Sequence, residues 1–128
     1  MAYEVPVLKH TFTINVSSTA KQYYVVKMST SNNTVVLTTA GGENCLGVIQ
    51  EPTSSGGAAP ILLYGITKVA HDGTLNPGDA VMSSSDGYAT EASTGVGIYR
   101  LGMCLEAGST VAGTIATMLW APIGQSTN

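Results

Sequence analysis

The sequence predicts an all-β domain, from alternating apolar residues in short segments and from turn residues spaced closely between those segments. In Thr11–Val16 the apolar residues Phe12, Ile14 and Val16 alternate with polar ones, which places them on one face of a strand. The 15 glycines are spread along the chain and disfavour helices throughout. We therefore predict a compact β-sandwich or β-barrel-like domain with little helix.

Further short segments rich in β-branched, aromatic and apolar residues predict the remaining strands. They are Tyr23–Met28, Thr34–Thr38, Cys45–Gln50, Ile61–Val69, Ala80–Ser83, Ile98–Leu105 and Thr114–Trp120. Asp86-Gly87 is a residue pair that tight hairpin turns favour. Gly65, inside an apolar strand, indicates a bulge or a close approach of another backbone.

The length of 128 residues fits one domain. We divide the chain into an extended N-terminal arm over residues 1–10, a single β domain over residues 11–120 and an extended tail over residues 121–128. Whether residues 11–39 belong to the core or to an accessory sheet stays open at this point.

Charged residues make up only 10% of the chain, and the net charge is −3. The five basic residues are scattered, so the sequence predicts neither a nucleic-acid surface nor a basic membrane-binding helix. The first ten residues lack the pattern of a signal peptide. A surface covered by small, uncharged residues indicates a protein that stays bound in an assembly. A neutral soluble monomer is the alternative.

Catalytic chemistry is not predicted. Cys45 or Cys104 with His10 or His71 could form a nucleophile and its base, but both cysteines stand in apolar strand sequence, where thiols pack inertly. His71 precedes an Asp-Gly pair, which predicts a turn with the histidine on the surface. The histidines and cysteines lack the close spacing of a metal site, so we expect no enzyme and no cofactor.

One short segment is partly repeated later in the chain, and we call this short internal repeat the echo. Leu46–Glu51 reads Leu-Gly-Val-Ile-Gln-Glu, and Leu101–Glu106 reads Leu-Gly-Met-Cys-Leu-Glu. Each is followed by a loop of small residues and an apolar strand, which predicts two equivalent hairpins with a glycine at a close backbone approach. Coincidence among common residues is the alternative, because so short a repeat carries little information.

A longer pattern of glycines and strands covers roughly residues 44 to 120. It comprises Leu46–Ile49, Ile61–Val69, Asn76–Val81, Ser85–Tyr88, Arg100–Ala107 and Ile115–Trp120, with pattern glycines at Gly47, Gly65, Gly78, Gly87 and Gly102. This pattern resembles the head decoration and capsid cement proteins of tailed phages. The chain departs from the shortest such proteins in having more strand-like sequence before Thr39.

The resemblance implies a structural virion protein, and within the all-β class a β-tulip-type domain. Such a protein binds the exterior of the expanded head, bridges neighbouring major capsid subunits and so cements the shell. It is expected to form a homotrimer and to be made in the host cytoplasm. Neither nucleic acid nor membrane is an implied partner.

The resemblance implies an extended N-terminal arm, and large aromatic side chains are further candidate contacts. The residues of the capsid-contact arm are Tyr3, Val5, Pro6, Val7 and Leu8. Pro6 keeps the segment extended, and the other four could insert into a neighbour or pair with it as an added strand. Candidate interface anchors are Tyr64, Tyr99 and Trp120, because large rings give the most contact area. An ordinary core position is the alternative for Tyr64 and Trp120.

Two other classes of function stay open. A tail or fibre β-domain would be favoured by long repetitive or heptad sequence, which the chain lacks. A small carbohydrate-binding β-module would need aromatic and polar residues clustered on one face, and the chain has one tryptophan.

Overall fold

The computed structural model describes residues 5–15, 22–52, 54–94 and 96–125, and this part of the chain is built from strands. The strands are β1 Val5–Ile14, β2 Val25–Met28, β3 Thr34–Leu37, β4 Gly47–Ile49, β5 Ala58–His71, β6 Ala80–Ser83, β7 Ala89–Glu91, β8 Tyr99–Glu106 and β9 Thr114–Gln125, with one 3-10 turn at Ser85–Gly87. The predicted all-β class is confirmed. No helix among the described residues has the length and apolarity needed to cross a membrane.

The strands form one sheet that closes into two rings sharing β5. The first ring runs β1-β3-β2-β4-β5 and the second runs β5-β7-β6-β8-β9. The N-terminal part of β5 pairs with β1 and β4, and its C-terminal part pairs with β9 and β7. Because β5 has 14 residues, it is long enough to serve both rings.

The second ring repeats the first strand for strand. The pairing of β2 with β4 places Val26 opposite Gly47, and the pairing of β6 with β8 places Val81 opposite Gly102. Each ring also contains one parallel pair, β1 with β3 and β5 with β7. The echo predicted two equivalent hairpins, and both are present as β4–β5 and β8–β9.

The repetition extends to hydrogen bonds outside the strands. The Gly56 N–H donates to the Ile14 carbonyl at 2.7 Å, and the Gly113 N–H donates to the His71 carbonyl at 2.8 Å. The end of β1 in the first ring therefore corresponds to the end of β5 in the second. His71 occupies the position that Ile14 holds in the first ring.

The two echoed glycines stand where another strand's backbone leaves no room for a side chain. A Cβ built on Gly47 would lie 2.1 Å from the Leu62 carbonyl oxygen, and one on Gly102 would lie 1.8 Å from the Leu119 carbonyl oxygen. The predicted close approach is confirmed at both positions.

The described residues bury two hydrophobic clusters. One fills the first ring and contains Ile14, Val26, Val35, Ile49, Ala59 and Ile61. The larger cluster combines residues of the second ring, such as Met118 and Trp120, with residues on the opposite face of the first-ring strands. Since β1, β2 and β3 contribute to the clusters, these parts of residues 11–39 belong to the core.

Two strands run past the boundaries that the sequence suggested. Strand β1 begins at Val5 rather than at Thr11, because its backbone pairs with β5 from Val5 onward, so the boundary at residue 10 falls inside a strand. Strand β9 continues beyond Trp120, because the first residues of β8 pair with it as far as Gln125. Residues 1–4 and 126–128 lie outside the described residues.

Strand β7 is absent from the sequence prediction. Its residues, Ala89–Glu91, include a single β-branched side chain, and pairing with β6 and with His71 of β5 supplies the structure. The turn before it agrees with prediction, since Asp86 and Gly87 have φ values of 61° and 79°.

Candidate functional site

The start of β1 carries exposed apolar side chains. Val7 is 67% exposed, Leu8 is more than half exposed, and Leu8 lies opposite the exposed Tyr64 of β5. We call Val7, Leu8 and Tyr64 the arm face. Exposed apolar groups that lie opposite each other on paired strands, as Leu8 and Tyr64 do, are typical of interaction sites.

The strand edge beside the arm face is open. Strand β1 pairs with β3 through Thr13 and Ile14, and the earlier part of that edge has no strand partner among the described residues. An open edge can accept an added strand from another chain. Of the predicted arm residues, Val5 and Pro6 belong to β1, whereas Tyr3 lies outside the described residues.

The three candidate aromatic anchors occupy different environments. Tyr64 is exposed, Tyr99 is half-buried at the start of β8, and Trp120 is fully buried in the larger hydrophobic cluster. Trp120 is therefore a core residue with no surface to offer a partner, which corrects its prediction as an anchor. Its side chain points inward because β9 alternates and the neighbouring Leu119 takes the outer face.

An apolar groove of about 280 Å³ lies on the outer face of the second ring. It is lined by Gly78, Ala80, Arg100, Gly102, Met103, Leu119 and Ala121. Two pattern glycines are thus part of a surface, in addition to their effect on the backbone. Sequence reasoning missed this groove because β6, β8 and β9 come together through pairing, although the echo already contained Gly102 and Met103.

A second, more polar cleft of about 300 Å³ lies on the first ring. It is lined by Lys27, Met28, Asn44, Cys45 and Leu46. The Lys27 ammonium pairs with the carboxylate of Glu43 and donates to the Thr39 hydroxyl at 3.1 Å. Burial alone would raise the pKa of Glu43, but hydrogen bonds from Lys27 and from the backbone of Thr39 and Ala40 lower it.

The thiol in this cleft is held in its neutral form. Burial raises the pKa of Cys45 to about 12, and its Sγ lies 3.3 Å from the Glu43 carbonyl, so the thiol stays protonated at neutral pH. Burial also raises the pKa of Cys104. Both cysteines are free and buried, as predicted. Among the described residues, no three His, Cys, Asp or Glu side chains cluster as a metal site would require.

His71 is buried, whereas the sequence predicted a surface position. The Gly73 N–H donates to its Nδ1 at 3.2 Å, and its Nε2 lies 3.2 Å from the Thr114 hydroxyl. The prediction failed because β5 continues through His71 and turns its side chain into the second ring. The predicted turn does follow, since the Thr74 N–H donates to the Asp72 carboxylate at 3.1 Å.

This environment makes stability depend on pH. Burial lowers the pKa of His71, with Asp72 opposing the shift, so the folded protein favours the neutral ring. Below the ordinary pKa of 6.5 the unfolded chain then binds more protons, and acidification favours unfolding. We expect the free energy of unfolding, measured with urea, to fall between about pH 7 and pH 5.5.

The variant His71→Gln should lose this part of the pH dependence, because glutamine does not titrate. The matched control is His10→Gln, since His10 is exposed at β1, and it should retain the dependence of the natural protein. An unchanged slope in His71→Gln would show that another group is responsible.

Comparison with known proteins gives a structural match. No family model matches the chain, and no curated protein matches it. The fold is similar to that of the head fiber gp8.5 N base in bacteriophage phi29, with a TM-score of 0.67 and 15% sequence identity. The match covers 94% of this chain and 100% of the phage chain, so it includes both rings.

Proposed function

We propose that this chain is a structural virion protein that binds the exterior of the expanded head of a tailed phage and cements it. The observation that supports this proposal most is the fold shared with a phage head fiber base over 94% of the chain. The pattern of glycines and strands, which resembles capsid cement proteins, supports it independently. Catalysis, cofactors, nucleic acid and membrane have no part in the proposal.

The stabilising effect would follow from selective binding. A protein that binds the assembled shell but not separated capsid subunits stabilises the shell by mass action. When one molecule contacts two neighbouring major capsid subunits, separating those subunits also breaks its own contacts. A homotrimer would add avidity, because one contact can open while the others hold.

The arm face is the surface that we assign to the capsid. It combines exposed apolar side chains with the open edge of β1, so an added capsid strand could gain both hydrogen bonds and apolar contacts. Residues 1–4 precede this strand directly and belong to the same predicted arm.

Co-sedimentation with expanded heads that lack this protein tests the proposal. We expect saturable pelleting at a fixed ratio to the major capsid protein, and heads that then resist heat better than bare heads. Absence of pelleting at micromolar protein would contradict attachment to the capsid.

The double variant Val7→Thr/Leu8→Thr should weaken pelleting about tenfold or more, because it removes apolar contact area while preserving β propensity. Its unfolding midpoint should stay near that of the natural protein, since both side chains are exposed. The matched control is Val111→Thr, which alters an exposed valine in the loop after β8. Equal binding by the double variant and the control would exclude the arm face.

A second candidate function is the base of a head fibre, because the matched structure is described as such a base. A base would also bind the head, but it would hold a further fibre segment on its outer side. Pelleting that saturates at a few copies per head, rather than in proportion to the capsid subunits, would favour this candidate.

A further inference from the structure

We infer that copies of this chain associate head to tail, through two faces that repeat the contact between its own two rings. The inference deepens the self-association included in the proposed function and rests on it to that extent. Its physical basis is the strand-for-strand repetition of the rings.

The first side of the internal contact is the outer face of the first ring. Val25, Val48 and Leu62 lie on β2, β4 and β5, and all three are fully buried. They belong to the same cluster as Leu101 and Trp120 of the second ring. The second ring therefore covers this face.

The second side is a surface of the second ring that receives the loop between β3 and β4. The Gly42 N–H donates to the Ser83 carbonyl at 3.2 Å, and the Tyr99 N–H donates to the Gly42 carbonyl at 3.2 Å. The Glu43 N–H donates to the Ser83 hydroxyl at 2.9 Å. The loop thus lies across β6 and the start of β8, and Ser83 is fully buried beneath it.

The counterpart of the first side is the apolar groove. Val25 lies opposite Val48 in the first ring, and Ala80 lies opposite Met103 at the equivalent position of the second. Ala80 and Met103 line the groove with Leu119, the counterpart of Leu62. Met103 is 47% exposed because the described strands form no third ring that would cover it.

The counterpart of the second side is the polar cleft. Met28 lies opposite Val35, and Ser83 lies opposite Ala89, so Met28 corresponds to Ser83. Ser83 is buried under the loop, whereas Met28 is 43% exposed and lines the cleft. The groove and the cleft are therefore the two halves of one contact, and neither is covered by the residues that the structure describes.

The chain also carries a counterpart of the loop. Gly97 precedes β8 with a φ of 88°, as Gly42 precedes β4 with a φ of 71°. The neighbouring Val96 is exposed. In a head-to-tail contact this loop of one copy would lie on the cleft of the next, while the first ring of the next copy covered the groove.

A second copy of this chain is the occupant that the repetition specifies. The matching loop and the matching apolar faces both belong to this sequence, and the groove and the cleft lie on different rings. Such a contact is heterologous, so it forms a closed ring when its rotation closes. Three copies would form the predicted homotrimer.

Light scattering during size-exclusion chromatography tests the inference on the purified protein. The natural protein should elute as a closed oligomer. Met103→Glu in the groove and Met28→Glu in the cleft should each give monomers, because each change puts a charge on a side chain that the neighbouring copy would bury. The matched control, Val111→Glu, should remain oligomeric, and all three variants should keep the circular dichroism and melting temperature of a folded domain.

Mixing the two monomeric variants distinguishes head-to-tail from two-fold contacts. One intact groove and one intact cleft are then available together, so an equimolar mixture should form dimers that neither variant forms alone. A natural protein that is monomeric at roughly 100 µM would overturn the inference, as would dissociation by Met103→Glu but not by Met28→Glu.

Failure of this inference is distinguishable from failure of the proposed function. A monomeric natural protein that still pellets with heads would overturn the head-to-tail contact and leave capsid binding in place. If the natural protein is an oligomer that both variants dissociate, but it does not pellet with heads, the head-to-tail contact stands and capsid binding is overturned.

Discussion

Replacing Gly102 with alanine is expected to destabilise the fold by about 3 kcal/mol or more. The new Cβ would lie 1.8 Å from the Leu119 carbonyl oxygen, and the backbone φ of 152° is one that residues with side chains rarely adopt. The strands must separate locally to admit it. Urea unfolding monitored by circular dichroism measures the loss.

Gly56→Ala is the matched control for backbone strain without a clash. Gly56 has a φ of 86°, and a Cβ there would meet nothing within 4 Å. We expect it to cost about 1 kcal/mol. If Gly102→Ala costs no more than Gly56→Ala, the close approach of β8 and β9 at this position is wrong.

Replacing Trp120 with alanine is expected to cost about 3 to 5 kcal/mol. The side chain is fully buried in the cluster that joins the two rings, so its removal leaves a cavity at their junction. The same unfolding measurement applies, since circular dichroism does not depend on the tryptophan.

The variant Trp120→Phe separates the effect of lost apolar packing from the effect of the buried indole N–H. The indole Nε1 is buried without a hydrogen-bond partner among the described residues, and phenylalanine removes this N–H while keeping much of the apolar contact. We expect this variant to lose less than about half of what Trp120→Ala loses. A loss below about 1 kcal/mol for Trp120→Ala would contradict its role at the junction of the rings.

Local pattern was sufficient to predict eight of the nine strands that the described residues form, and the echoed hairpins. Alternation placed Ile14 in the core, and the glycine in each echo predicted the close approaches at Gly47 and Gly102. These features depend on a few neighbouring residues and on the missing side chain of one glycine. Both can be read from the sequence.

The features that sequence reasoning missed depend on pairing between strands that are distant in the sequence. Nothing near His71 indicates that β5 continues into a second ring, and therefore the surface position predicted for it was wrong. The apolar groove has the same cause, because its residues from three strands become neighbours through register alone. The sequence left open whether Trp120 is a core residue or an interface anchor. Its side chain lies on the side of β9 that faces the cluster, so it is a core residue.

The repeated architecture connects the fold to the proposed function. A small chain made of two equivalent rings has related surfaces on both rings, and the arm face lies on β1 and β5. In the proposed function, the groove and the cleft bind copies of the chain and the arm face binds the capsid.

Electron cryomicroscopy of expanded heads, imaged before and after saturation with the purified protein, tests capsid attachment most directly. We expect added density on the exterior of the shell, fitted by the two-ring fold, with the start of β1 against one capsid subunit and contact with its neighbour. Added density confined to a fibre or tail, or heads that remain bare at saturating protein, would contradict it.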